Sequence, residues 1–198
     1  MRNAQKARAE IAHVAARLIA VDGISDYRVA KRKAAVQLGF KPDRFLPTNQ
    51  EIEQALADYQ RIFQSSEQPE ALDGLRRTAA EAMAFLAPFR PRLVGPVLTG
   101  TATRHSEIIL HVFCNAPEEI QHFLEDRGIP ATQTSRTVRI RGEGPMEFPA
   151  YRFIAGDAPV VLVIFDERQR TLSPMSPVDG GPLRRARLDE VEALLDRS

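Results

Sequence analysis

The chain has one cysteine, no tryptophan and only four lysines. A lone cysteine, Cys114, excludes an internal disulfide framework. No run of about 18 apolar residues occurs, which argues against a membrane-spanning helix. The opening stretch MRNAQKARAEIAHVAARLIAVDG lacks the apolar core of a signal peptide, because Lys6, Arg8, Glu10 and Arg17 interrupt it. A cytoplasmic protein is therefore expected. Several motifs are also missing. There is no H-E-x-x-H, no G-x-S-x-G and no paired C-x-x-C. His105-Ser106-Glu107 begins a zinc-deaminase pattern, but no P-C-x-x-C follows. Residues 95–101 have the glycine spacing of a phosphate loop, yet Thr101 stands where the loop needs lysine. Without that cation the β- and γ-phosphates lose their main charge partner, which counts against an ATP-driven ligase or kinase of that type.

What is present is ordinary in bulk and uneven in detail. At 198 residues, 43% hydrophobic and 27% charged, the chain suits one domain, or one domain with a helical extension. The net charge is +1. Residues 1–44, however, hold ten Lys and Arg against four Asp and Glu, and all four lysines lie there. The remainder is net acidic, and its cations are all arginine.

Hydrophobic spacing near 3.6 predicts helices through residue 88. Ile11, Val14, Ala15, Leu18 and Ile19 form one face of the first, which ends at Asp22-Gly23. Ser25 or Asp26 caps the second, which stops at Gly39. Thr48 or Asn49 caps the third, with Glu51 as the capping-box acid and Ile52, Leu56, Tyr59, Ile62 and Phe63 as its inner face. A fourth helix turns Leu72, Leu75, Ala79, Met83 and Leu86 inward. The period then changes to two. Strands are predicted over residues 93–98, 107–113, 132–141, 151–155 and 160–165, the last apolar throughout, as for a strand covered on both faces. A helix capped by Asn115, with Pro117 in its first turn, buries Ile120, Phe123 and Leu124, and a short helix over residues 188–195 ends the chain. The plan is α+β, with an N-terminal helical region over 1–66 and a mixed sheet flanked by helices over 67–198.

Candidate chemistry concentrates at residues 93–113. Residues 105, 107, 109 and 111 share one face of an extended strand. His105 and Glu107 lie about 6.6 Å apart and could touch one ligand, whereas His105 and His111 are about 20 Å apart and cannot share a metal. His105 or His111 with Glu107 is thus one constellation for acid–base or binding work. The bland alternative makes His111 a hydrogen-bonded sheet residue and Glu107 a solvated strand end. Arg28, Lys31 and Arg32 share a helix face and could meet phosphates of a nucleic acid, or form a solvated face. His13 reads as a packed helix residue, and Cys114 as an inert core thiol. Arg136, Arg139 and Arg141 on one strand, like Arg90 and Arg92, either line a phosphate-binding surface or cap a solvated one. Arg184-Arg185 reads as a surface pair.

The order helix, apolar strand, Gly100-Thr101 turn and strand Glu107-Ile-Ile-Leu resembles the core of the polymerase-β-like nucleotidyltransferase superfamily, over roughly residues 70–166. ARLIAVDGISDYRVAKRKAAVQLG, LPTNQEIEQALADYQ and LSPMSPVDGGPLRRA extend the likeness to a family of short bacterial proteins, nucleotidyltransferase-like and in part labelled as UDP-N-acetylmuramate–alanine ligases. The resemblance implies a nucleotide held at Gly100, Thr101 and Arg104. It also implies Mg²⁺ on Glu107 and in-line nucleotidyl transfer, whereas His105 or His111 with Glu107 would do acid–base or binding work without a metal. Ile109 stands where the second carboxylate belongs. Two functions follow. One is a nucleotidyltransferase-fold protein that binds a nucleotide or phosphorylated ligand. The other is a non-catalytic scaffold or regulator whose basic N-terminal helices bind nucleic acid or a protein.

Overall fold

A computed structural model describes residues 2–196. The protein is α+β, with seven α-helices and one five-stranded sheet among those residues. It divides into two compact units, each assembled from more than one stretch of chain.

The first unit comprises Met1–Ala71, Thr101–His105 and Pro177–Asp179. Three helices build it: α1 (Arg2–Asp22), α2 (Tyr27–Gln37) and α3 (Asn49–Phe63). Gly23, at φ +71°, supplies the left-handed turn after α1. The Asp26 carboxylate then accepts hydrogen bonds from the backbone N–H groups of Arg28 and Val29 and caps α2. Thr48 and Glu51 form the capping box expected for α3. Ile11, Leu18, Ile52 and Leu56 are the large residues of the core, and Ala15, Ala16, Ala30, Ala34 and Ala35 fill the space between them. So many alanines let the helices approach closely. The inner face of α3 is shorter than its periodicity suggests, since Ile62 and Phe63 are exposed at its C-terminal end. His13 is likewise exposed, not packed: the apolar stripe of α1 runs through Ile11, Ala12, Ala15, Ala16 and Leu18, and position 13 falls off it.

The second unit comprises Leu72–Gly100, Ser106–Ser176 and Gly180–Ser198. The fourth helix, α4 (Glu67–Phe85), enters it from the first unit's stretch of sequence and buries Leu72, Leu75, Ala79 and Met83 as anticipated. The sheet strands are β1 (Arg92–Val94), β2 (Ile108–Cys114), β3 (Thr132–Ile140), β4 (Gly144–Ala155) and β5 (Ala158–Asp166), in the order β1-β2-β5-β4-β3. β2 and β5 are parallel neighbours, and every other pair is antiparallel. The parallel pair requires a crossover, which α6 (Pro117–Glu125) and the β3–β4 hairpin provide. β5 is central and buried from Val160 to Phe165, which accounts for its unbroken apolar sequence.

Three elements depart from the pattern expected of the sequence. Residues 93–98 do not form one strand. β1 ends at Val94, Gly95 takes φ 76° and ψ −160°, and Pro96 opens a single helical turn, α5 (Pro96–Thr99). That conformation belongs almost solely to glycine, and proline cannot donate to a sheet ladder. β4 begins seven residues before the predicted start and runs through Pro145 and Pro149, residues that cannot donate to a sheet ladder. Both prolines sit where β4 pairs with β3 alone; pairing with β5 starts at Ala150. Finally, Ala116 rather than Asn115 is the N-cap of α6, and the Glu119 carboxylate accepts from both backbone N–H groups.

Alternation along the strands defines two faces. Ile109, His111 and Phe113 of β2 share a face with Val161, Val163 and Phe165 of β5. Phe148, Ala150 and Ile140 complete that cluster, and the Phe148 and Phe165 rings lie 4.3 Å apart. The opposite face carries Ile108, Leu110 and Val112, all fully buried. The last helix, α7 (Leu188–Leu195), falls where the sequence places it.

Candidate anion-binding site

The outer edge of β1 is covered by a single bridge. Leu93 and Ala186 exchange two backbone hydrogen bonds of 2.9 Å in antiparallel register. Period-two alternation then fixes the neighbours. With Leu93 opposite Ala186, Arg92 stands opposite Arg187, and Arg185 and Arg187 point to the same side as Arg92. On its other flank Arg92 pairs with His111 of β2, and Phe113 follows on that same face. Backbone register alone therefore gathers three guanidinium side chains over one buried histidine and one phenylalanine.

Arg90 and Arg170 join them, and the five arginines and Phe113 line a cleft of about 610 Å³. This lies within the range typical of small-molecule sites, roughly 300–1,000 Å³. Arg90 sits at φ 47°, ψ 55°, a left-handed conformation that a residue with a Cβ adopts at some cost. The Glu167 carboxylate accepts from Arg90 at 3.2 Å and from Arg170 at 3.5 Å, so those two share one counter-charge. The other three have none of that kind. Arg92 donates to the carbonyls of Pro91 and Arg90, and Arg185 reaches the carbonyl of Leu172 at 3.5 Å. Among the described residues, no carboxylate forms an ion pair with Arg92, Arg185 or Arg187. Asp189 and Glu190, in the first turn of α7, are the acids on the cleft wall, and the Glu190 side chain is engaged by the backbone N–H of Arg187.

The electrostatics follow from this crowding. Burial holds the Arg92 guanidinium below its ordinary value, and Arg187, Arg185 and Arg170 add repulsion that Glu190 only partly offsets. Burial lowers Arg185 in the same direction. His111 is 2% exposed, and its pKa is pushed down to about 3 by burial and then by Arg185. It is neutral at physiological pH, and its Nδ1 is buried with no hydrogen-bond partner among the described residues. Like charges held together with too few counter-charges, part desolvated, form a site that an anion relieves.

The residues predicted from the nucleotidyltransferase resemblance distribute differently. Thr101, Arg104 and His105 belong to the first unit, and Gly100, Glu107 and His111 to the second. Gly100, at φ 98°, closes α5, and its N–H is bonded to the carbonyl of Pro96. The N–H groups of Leu98 and Thr99 are bonded to Gly95, so this turn satisfies its own donors. The Thr101 hydroxyl donates to Glu53 at 2.6 Å. Arg104 donates to Nε2 of His105 at 3.1 Å, and both residues are exposed.

Glu107 is held between two guanidiniums, those of Arg136 on β3 and Arg152 on β4, the latter at 3.2 Å. Arg136 therefore belongs to an internal ion pair. Magnesium takes near-octahedral oxygen ligation. Ile109 offers no ligand, both Glu107 oxygens are in ion pairs, and no group of three potential metal ligands occurs among the described residues. Asp166 aligns with Cys114, at the far end of β2 from Glu107. The donor set does not fit the ion.

On α2, Lys31 donates to the Pro47 carbonyl and to Asn49, and Arg32 pairs with Asp43, so two of the three basic residues proposed for nucleic acid are engaged within the unit. Cys114 is buried with its thiol pKa pushed up to about 11, mainly by burial, which favours the thiol over the reactive thiolate.

Sequence reasoning named Arg90 with Arg92, took Arg185 with Arg184 as a surface pair, and missed Arg170 and Arg187. The available signal was the Arg-x-Arg spacing at 185/187, which points both members to one side of an extended segment. Compared with family models, curated proteins and solved structures, the chain matches none.

Proposed function

We propose that this protein binds a phosphorylated small molecule, a nucleotide among the candidates, in the arginine-lined cleft beside β1, and that it does so without metal-dependent nucleotidyl transfer. The observation that carries the reading is the trio Arg92, Arg185 and Arg187, brought to one face by register and without ion-pair partners among the described residues. Guanidinium groups match phosphate oxygens in planar, bidentate fashion, and partial burial strengthens each such bond. The neutral His111, paired with Arg92 across the β1–β2 ladder, packs beneath them without adding charge.

The order α4, β1, tight turn, β2, with β1 and β2 adjacent and antiparallel, supports a nucleotidyltransferase-like arrangement of the sheet. The transfer chemistry has less support, since Glu107 and Ile109 make no metal centre. A scaffold that keeps a phosphate-binding role while lacking the carboxylate pair is the reading most consistent with both facts.

Calorimetric titration of the full chain with ATP in EDTA tests it. Binding that falls at least tenfold in Arg92→Ala and in Arg185→Ala, but not in Arg139→Ala, is the expected result. Arg139 is an exposed arginine outside the cleft. Equal weakening by Arg139→Ala, or no heat with the wild-type chain, refutes the assignment.

A further inference from the structure

We infer that the cleft selects a chain of at least two linked phosphoryl groups, a diphosphate or longer, and takes it free of magnesium. This rests on the anion-binding proposal and narrows its ligand.

The first argument is the match of donors to acceptors. Glu167 serves Arg90 and Arg170, and Glu190 on the cleft wall is held by the backbone N–H of Arg187, while Arg92, Arg185 and Arg187 have no ion-pair partner among the described residues. A single phosphate ester offers three terminal oxygens to three planar guanidinium forks. Two linked phosphoryl groups offer those forks more oxygens.

The second argument is spacing. Arg185 and Arg187 are two residues apart on an extended segment, so their Cα atoms are separated by about 6.6 Å, with Arg92 across the bridge from Arg187. Donors rooted that far apart, each a planar fork, engage separate phosphoryl groups more readily than the oxygens of one. The cleft, at about 610 Å³, has room for such a chain and for a further moiety.

The third argument concerns the metal. Magnesium bound to a diphosphate brings cationic charge to a wall already rich in it, and the ion would need carboxylates or water for its remaining positions. The two acids on the wall stand together at the start of α7, and one of them already caps that helix. Guanidinium and magnesium thus compete for the same oxygens. Arg187 is the specificity-determining residue in this scheme, because it alone among the three lies at the exposed rim and sets how far along the phosphate chain the site reaches.

The experiment is a set of titrations of the full chain at constant ionic strength, with orthophosphate, pyrophosphate, tripolyphosphate and ATP, each in EDTA and again with excess MgCl₂. Pyrophosphate is expected to bind at least tenfold tighter than orthophosphate, and magnesium to weaken it severalfold. Arg187→Ala should erase most of the pyrophosphate advantage while leaving orthophosphate nearly unchanged, and Arg187→Lys, which keeps the charge and loses the fork, should fall between. ATP matching tripolyphosphate supports a site for the phosphate chain as such; ATP binding much tighter supports a nucleotide as its source. Orthophosphate binding as well as pyrophosphate, or magnesium tightening either, overturns the inference and leaves the anion-binding reading standing. Absence of binding by every probe overturns both.

Discussion

Removing the Glu107 carboxylate separates a structural role from a metal-binding one. Glu107 precedes β2, and its two oxygens receive Arg136 from β3 and Arg152 from β4. It is the least exposed member of the trio, at 21% against 42% and 48%. Exposed ion pairs contribute about 0.2–1 kcal/mol each, so Glu107→Ala, which breaks two around a half-buried acid and leaves two guanidiniums facing one another, should cost about 1–2 kcal/mol. For a chain of this size 1 kcal/mol lowers the midpoint by about 2–4 °C, giving a loss of about 2–8 °C. Thermal melting followed by circular dichroism suits a protein without tryptophan. Glu107→Gln keeps the hydrogen-bond acceptor and should fall between. In 1 M NaCl, where the Debye length is about 3 Å, the gap to wild type should shrink. Phosphate binding in EDTA should not change. A Glu107→Ala variant that melts with the wild type yet loses a magnesium-dependent nucleotide complex would show that the carboxylate is a metal ligand, and its role as a purely structural counter-charge would be refuted.

Other outcomes follow from single features. His111 has a folded pKa of about 3 against an ordinary 6.5, so the unfolded chain takes up its proton first as the pH drops. Its contribution is complete above pH 6.5 and is lost as the pH falls toward 3, at up to about 1.4 kcal/mol per pH unit. His111→Leu should flatten that slope in urea titrations at pH 7, 6, 5 and 4, and an unchanged slope would assign it to other groups. Gly95→Ala should destabilise by about 1–3 kcal/mol through backbone conformation, since a Cβ there meets only Ile109 Cδ1 at ordinary contact distance; a neutral result would mean the turn can rearrange. Thr48→Ala removes the hydroxyl half of the α3 capping box and should cost about 1 kcal/mol in chemical denaturation.

Much of the architecture is legible in the sequence because it rests on local signals. Asp26, Thr48 with Glu51, and the apolar run at 160–165 each announce their element, since caps and periodicity act over a few residues. The failures come from residues whose meaning depends on a neighbouring strand. Pro145 and Pro149 look like breakers until β4 is seen to lack a second partner there. Gly95 looks like part of a strand until its φ is known. The candidate site is legible only in pieces. Arg92, Arg170 and Arg187 are far apart in sequence, and nothing local reports that Leu93 bridges Ala186. Glu107 illustrates the converse: its position suggests a metal, but its chemistry is set by two arginines 29 and 45 residues onward.

The interleaving of the two units carries a consequence for how the protein is made. The helical unit draws on residues 101–105 and 177–179, and the sheet unit on everything between and after. The chain therefore passes from one unit to the other five times, and no single cut separates them. Gln60 has no carbonyl at Thr101 or Ala102 to bond, and Asn49 none at Pro177, until those residues have been synthesised. The residues of the first three helices are synthesised early, but the last tertiary contacts of their unit can form only when about nine-tenths of the polypeptide exists. Fragments ending near residue 70 should thus be less stable than the same helices in the whole protein, and gene truncations inherit that handicap.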